Sequence, residues 1–439
     1  MERLGNGLGD SNGASLDFVT IPMYLTIPFT INKKEQEILR KLARRIRELS
    51  YRPVEDEKQE LWYRINALED TRTVVFCDPE NGWYEILSES LESENPLARF
   101  WEYRLKKEIF WGERMNDDKV IEDAFYIPYL YTYGDYGVKH SIHEPDSLNG
   151  AIKWSHSISD YEESLPKLHV RDINIEYERS HQLYNLAQEV FGDILKVKYK
   201  SAFWWSFGLT WDLVYFRGLD NMMLDMYDHP DELHQLMALL RDDALNRIDF
   251  LEKNNLLTLN NRNAYVGSGG FGWSRELPVS DDFDGMVKTK DMWGFGESQE
   301  TVCVSPEMFA EFIFPYQKPI LEKFGLNCYG CCEPVNLRWE TIKETPRLRR
   351  VSVSAWADVD AMAEMLGKNY IFSWKPRPAD LALQTIDKDA LRSYIRKTYE
   401  AAKANDCRLE IIMKDNHTIG RNPQNVIDWV KIVREVTDE

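Results

Sequence analysis

Apolar positions recur at three- or four-residue spacing in several stretches of the chain. Ile38, Leu39, Leu42, Ile46 and Leu49 do so between Lys33 and Leu49, which predicts an amphipathic helix. A clearer case is HPDELHQLMALLRDDALNRIDFLEK, where Leu233, Leu236, Met237, Leu240, Ala244, Ile248 and Leu251 fall on one face and Pro230 sits where a first-turn proline is tolerated. Ser305-Pro306-Glu307 opens another helix, which Pro315 and Pro319 should bend or break.

Short apolar runs give the strands. Thr73–Cys77 (TVVFC), closed by Asp78-Pro79, reads as the first buried strand, and Ser201–Phe207 (SAFWWSF) as another. Beyond residue 326 the chain alternates with little slack: Asn327–Cys331, Arg350–Ser354, Tyr370–Trp374 and Arg408–Met413 as strands, each followed by a helix. Four successive β-α units imply a parallel sheet covered by helices, either a barrel or an open doubly wound sheet. Both place function in the loops after the strands' carboxyl ends.

Those loops carry the polar residues. The segment CYGCCEP brings Cys331 and Cys332 as candidate metal ligands, with Glu333, Glu297 and His417 able to complete a set; thiolates suit zinc, and a catalytic zinc keeps one position open. Lys375 and Arg377, in SWKPRP, could neutralise a carboxylate or phenolate of a substrate. Trp293, Trp356 and Trp374 lie near strand ends and could wall an aromatic ligand. Gly267–Gly272 matches a dinucleotide fingerprint in form, but the following WSRELPVSDDFDG offers no helix to receive a pyrophosphate. It reads instead as a flexible glycine loop at the mouth.

Charge and cysteine content narrow the class. With 54 Lys+Arg against 73 Asp+Glu the chain carries −19, so a phosphate backbone would be repelled and nucleic acid is not an expected partner. Six cysteines in 439 residues are too sparse for a disulfide framework. No run reaches the roughly 18 apolar residues of a membrane span, and the first residues lack an export signal, so a cytoplasmic protein away from membranes is expected.

The stretches GLDNMMLDMYDHPDELHQLM and CVSPEMFAEFIFPYQKPILEKFG, the Cys-type turn after Asn327–Cys331 and the later β-α units together resemble the uroporphyrinogen-decarboxylase superfamily from about Phe203 to Val436. That likeness implies an α/β fold, a (β/α)₈ TIM barrel over residues 73–439 with elaborated loops. A helical extension (17–72) and a flexible N-terminus (1–16) would precede it. Porphyrin decarboxylases carry an arginine-rich segment after the first strand, whereas this chain reads FCDPENGWYEIL, so the resemblance favours the corrinoid-dependent methyltransferase branch. The zinc-binding His-x-Cys-Gly turn of that branch falls on Tyr329, Cys331 and Cys332, and only Cys331 matches. The later cysteine falls near Lys414–His417. This departure points to members that take a methyl group from a small donor, an aryl methyl ether in O-demethylation, and pass it to the cobalt of a corrinoid (cobalamin-type) cofactor on a partner protein. Tyr329, His417 and Lys375 are then the expected acids at the leaving oxygen. Zinc is the expected metal and a homodimer the expected assembly. Two alternatives stay open: a zinc-dependent methylcobamide:thiol methyltransferase, and a non-catalytic barrel that binds a corrinoid or tetrapyrrole.

Overall fold

The computed structural model describes residues 21–138, 141–143, 153–279 and 283–438. The N-terminal stretch 1–16, expected to be flexible, lies outside them. Helices at Lys33–Ser50 and Pro53–Asn66 precede the first strand. The first of these starts with a capping box, in which the Asn32 side chain accepts from the Glu35 amide and Glu35 reaches back to Asn32, satisfying two donors that the helix itself cannot.

Among the described residues eight strands pair in parallel: β1 Val74–Cys77, β2 Ala124–Ile127, β3 Lys196–Tyr199, β4 Trp293–Gly296, β5 Leu326–Tyr329, β6 Leu348–Val353, β7 Ile371–Trp374 and β8 Arg408–Met413. Six of them form one parallel sheet in the order β1-β8-β7-β6-β5-β4, while β2 and β3 form a separate parallel pair. The fold is therefore α/β with a six-stranded parallel centre, and its hydrogen bonds do not draw a closed eight-stranded ladder. Every residue of β1, β4, β5 and β7 is buried, as expected for a parallel sheet covered on both faces. No helix among the described residues is long and apolar enough to cross a membrane.

Side chains take over where the ladder stops. On the free edge of β1, the amides of Val75 and Cys77 donate to the carboxylates of Asp118 and Asp117, and the Asp118 amide returns a bond to the Val75 carbonyl. On the free edge of β4, Asn260 donates to the Trp293 carbonyl and accepts from its amide, while the Phe207 amide bonds the Phe295 carbonyl. Both free edges are thus paired without a strand. Replacing Asn260 with alanine leaves the two backbone groups of Trp293 unmatched and is expected to cost about 1–3 kcal/mol of unfolding free energy. Urea titration of the purified variant measures it, and an unchanged midpoint would mean that water replaces the amide.

The helices after residue 326 fall where the periodicity puts them, at Val359–Leu366, Lys388–Ala404 and Gln424–Thr437. The proline-containing helix divides into Pro306–Phe312 and Phe314–Leu321 at Ile313, two residues before Pro315. Two expectations are corrected. SAFWWSF is not a strand; the strand is the preceding KVKY of β3, and the aromatic run is a loop. The glycine segment is not a loose surface loop but a buried hairpin, Tyr265–Val266 against Gly270–Phe271. A Cβ at Gly270 would overlap the Arg350 guanidinium, and Gly269 has φ +126°, so glycine lets this hairpin sit directly on a buried side chain.

Candidate functional site

Period-2 alternation places polar groups of β6, β7 and β8 on one face of the sheet. Arg350 forms an ion pair with Glu410 at 2.8 Å, with both side chains at most 1 % exposed, and also donates to Asn66 at 2.6 Å. Ser373 donates to Glu410, and Lys375, two residues further along the same face, donates to the Ser373 carbonyl at 3.1 Å. Burial is the main force on the Lys375 amine and brings it down to about 8.

This shift has a sign that can be tested. An amine whose folded value lies below its ordinary 10.5 contributes stability above pH 10.5, and that contribution is lost as pH falls through 8. Lys375→Met is therefore expected to be more stable than the wild type at pH 7, by up to about 3 kcal/mol, with the advantage vanishing above pH 10. Urea midpoints of the two proteins at pH 7 and pH 10 check this, and equal midpoints at pH 7 would contradict it.

A second group of side chains sits where β5 and β8 end. Gly330, with φ +91°, turns the chain so that Cys331 is buried while Cys332 is exposed. Ser268, at the hairpin tip, donates to the Cys331 sulfur at 3.3 Å and accepts from Lys414 at 3.4 Å. The Cys332 sulfur lies 3.7 Å from that of Cys331 and 3.8 Å from Asp415. The contact with Cys332, together with burial, raises the Cys331 thiol well above its usual range. Burial alone would lower the Lys414 amine, but Asp415, Tyr265, Cys331 and Glu80 outweigh it and hold the lysine charged. Nearby, burial lifts both Glu297 and Glu333 above the usual carboxylate range, and their mutual repulsion adds to it for Glu297.

Beside this group lies a cavity of about 240 Å³, bordered by β1, β2, the loop after β3, and β4. Phe76, Trp204, Trp205, Phe271, Trp293 and Phe295 give it aromatic walls, and Tyr265 lines it as well. The Tyr265 hydroxyl and the Trp205 indole N–H are shielded from solvent and have no hydrogen-bond partner among the described residues. Burial pushes the Tyr265 phenol well above its usual value, with Lys414 pulling against that. The cavity and the cysteine group share the hairpin: Tyr265, Val266 and Gly267 line the one, and Ser268 contacts the other.

The expected site residues separate into three sets. Cys331, Cys332, Glu297, Glu333 and Lys375 come together at the carboxyl ends of the strands, and Trp293 forms a cavity wall with its indole N–H on the Gly272 carbonyl. Tyr329 is buried nearby, but its hydroxyl donates to Gln317 at 2.6 Å, and Gln317 in turn donates to the Glu297 carbonyl. That chain of bonds ties the hydroxyl, through Gln317, to the backbone of Glu297. The others are not brought in. Trp356 is 76 % exposed, Trp374 is buried against Tyr394, His417 is exposed, and Arg377 pairs with Asp380 at 3.4 Å while lying over the Tyr394 ring.

The donor set does not fit a zinc ion. Glu333 uses its two oxygens on the Ser298 and Cys331 amides, and Glu297 accepts from Ser206 and the Gln299 amide. No three His, Cys, Asp or Glu side chains among the described residues are grouped to hold a metal. The residues that sequence reasoning missed are Tyr265, Ser268 and Lys414 as a unit, together with Arg350–Glu410 beneath them. The one signal for the hairpin was its glycine density.

No family model and no curated protein matches this sequence. Among solved structures the chain is similar to a methyltransferase from Methanosarcina mazei, at 11% identity over 86% of this chain and 97% of that one, with a TM-score of 0.48.

Proposed function

We propose that this protein is a methyltransferase that removes the methyl group of a small aryl methyl ether and delivers it to the cobalt of a corrinoid on a partner protein. The eight parallel strands are read as a (β/α)₈ barrel opened at two seams, in line with the resemblance to the uroporphyrinogen-decarboxylase superfamily. The observation that carries the reading is the aromatic-walled cavity that Tyr265 lines, with its unpartnered, buried hydroxyl close to the charged Lys414. Its volume of about 240 Å³ suits a single ring rather than a macrocycle, which disfavours a tetrapyrrole-binding barrel.

A docked corrinoid would supply the nucleophile for the methyl carbon. The remaining work falls to this chain. Trp204, Trp205 and Trp293 hold the arene and exclude water. As the C–O bond breaks, negative charge develops on the ether oxygen, and Tyr265, kept protonated by burial, donates a hydrogen bond to it. Lys414 adds a fixed positive charge close by. The thiol-methylating alternative depends on zinc, for which the donor set is unsuited.

Mixing the purified protein with a panel of aryl methyl ethers and a reduced corrinoid protein, while following the absorbance of methylcobalt, tests the proposal. Methylcobalt should form with at least one donor; absence of signal across the panel rejects the donor class.

A further inference from the structure

All six cysteines are free thiols; four of them stand apart, and only at Cys331 and Cys332, among the described residues, do two sulfurs approach each other, at 3.7 Å. Closing that gap to a bond of about 2.05 Å needs no movement of distant elements, only side-chain rotation and distortion of the peptide between the two residues. Cys332 is exposed and open to an oxidant in solution, whereas Cys331 is buried and reachable by little except its neighbour. The backbone between them is held in place, with Gly330 in the left-handed region and the Cys331 amide donating to Glu333 at 2.9 Å. The Lys414 ammonium, bridged to Cys331 through Ser268, works against the rise that Cys332 and burial impose on that thiol.

We propose that Cys331 and Cys332 are a redox modification site that closes reversibly to a disulfide between adjacent residues. With a peroxide as oxidant, the Cys332 sulfur attacks one peroxide oxygen, giving a sulfenic acid and one water. The Cys331 sulfur then displaces the sulfenic oxygen, which leaves with the Cys331 proton as a second water. Two thiols and one hydrogen peroxide thus become one disulfide and two waters. Adjacent Cα atoms are about 3.8 Å apart, inside the usual 4.4 Å minimum for a disulfide, so the ring is strained and readily reduced. That property suits a switch better than a structural bridge. Closure also re-aims the sulfur that accepts from Ser268, at the tip of the hairpin that lines the cavity. The bond formation does not depend on the proposed methyl transfer and is tested without it.

The native full-length protein is treated with stoichiometric hydrogen peroxide, quenched with an alkylating agent under denaturing conditions and digested. The peptide spanning residues 331 and 332 should be two mass units lighter and unalkylated, and dithiothreitol should restore both alkylation sites. In Cys332→Ser, Cys331 should stay alkylatable after the same treatment. A wild-type peptide carrying only sulfenic or sulfinic acid at Cys332, or chains cross-linked through Cys332, would overturn the proposal. So would oxidation of Cys331 in the Cys332→Ser protein.

Discussion

Glu410→Ala should destabilise the fold by about 3–5 kcal/mol, the largest stability effect expected of any single change to the polar groups described above. The substitution strands the Arg350 guanidinium, 1 % exposed, with Asn66 and the Cys328 sulfur as its remaining side-chain partners. The cost is that of an uncompensated buried charge and not the worth of the pair. Arg350→Met combined with Glu410→Leu removes both charges and should recover a substantial part of the loss. Equilibrium unfolding in urea for the single and double variants measures both effects, and a double variant less stable than the single one would show that the pair itself is favourable.

For activity, the largest expected effect belongs to Tyr265→Phe. The ring stays in place against Phe76 and Phe271, so packing is preserved while the hydroxyl is lost. Removing a single donor aimed at developing negative charge lowers turnover by roughly 10²–10³-fold. Because the ether oxygen is neutral in the ground state, binding of the donor should change far less than turnover. Single-turnover rates of methylcobalt formation, set beside donor affinity read from tryptophan quenching, separate the two. A variant that turns over at the wild-type rate would remove Tyr265 from the chemistry.

The second half of the chain was readable because its strands are buried on both faces and its helices cover them. Arg408–Met413 (RLEIIM) is mostly apolar between turn residues, with Glu410 its one buried charge, and Lys388–Ala404 keeps a helical period over its whole length. The failures have equally physical causes. In KVKY the charged residues alternate with apolar ones, so β3 has no apolar run, while the richer SAFWWSF is apolar because it faces a cavity. Strand-end position located Cys331 and Lys375, but it says nothing about which way a side chain points. Trp374 neighbours the inward Ser373 and so faces the helix that carries Tyr394. Tyr265 and Ser268 belong to a hairpin in the long connection between β3 and β4, where no strand end directs attention to them.

The edges of β1 and β4 have one more implication. Asp117, Asp118 and Asn260 belong to connecting segments, so the bonds they make can be released one side chain at a time, whereas a ladder gives way in registered pairs. Changes in the connecting segments that carry these residues can therefore reshape the flanks of the hollow while all six strands of the main sheet stay paired. Acid acts on the two carboxylates of the first flank in opposite senses. Burial lifts Asp117 to about 6, so its protonation below that value relieves a cost the folded chain carries at neutral pH. Asp118, which burial would raise, is held below its usual range by Arg72 and Arg434 and loses its contribution as pH falls.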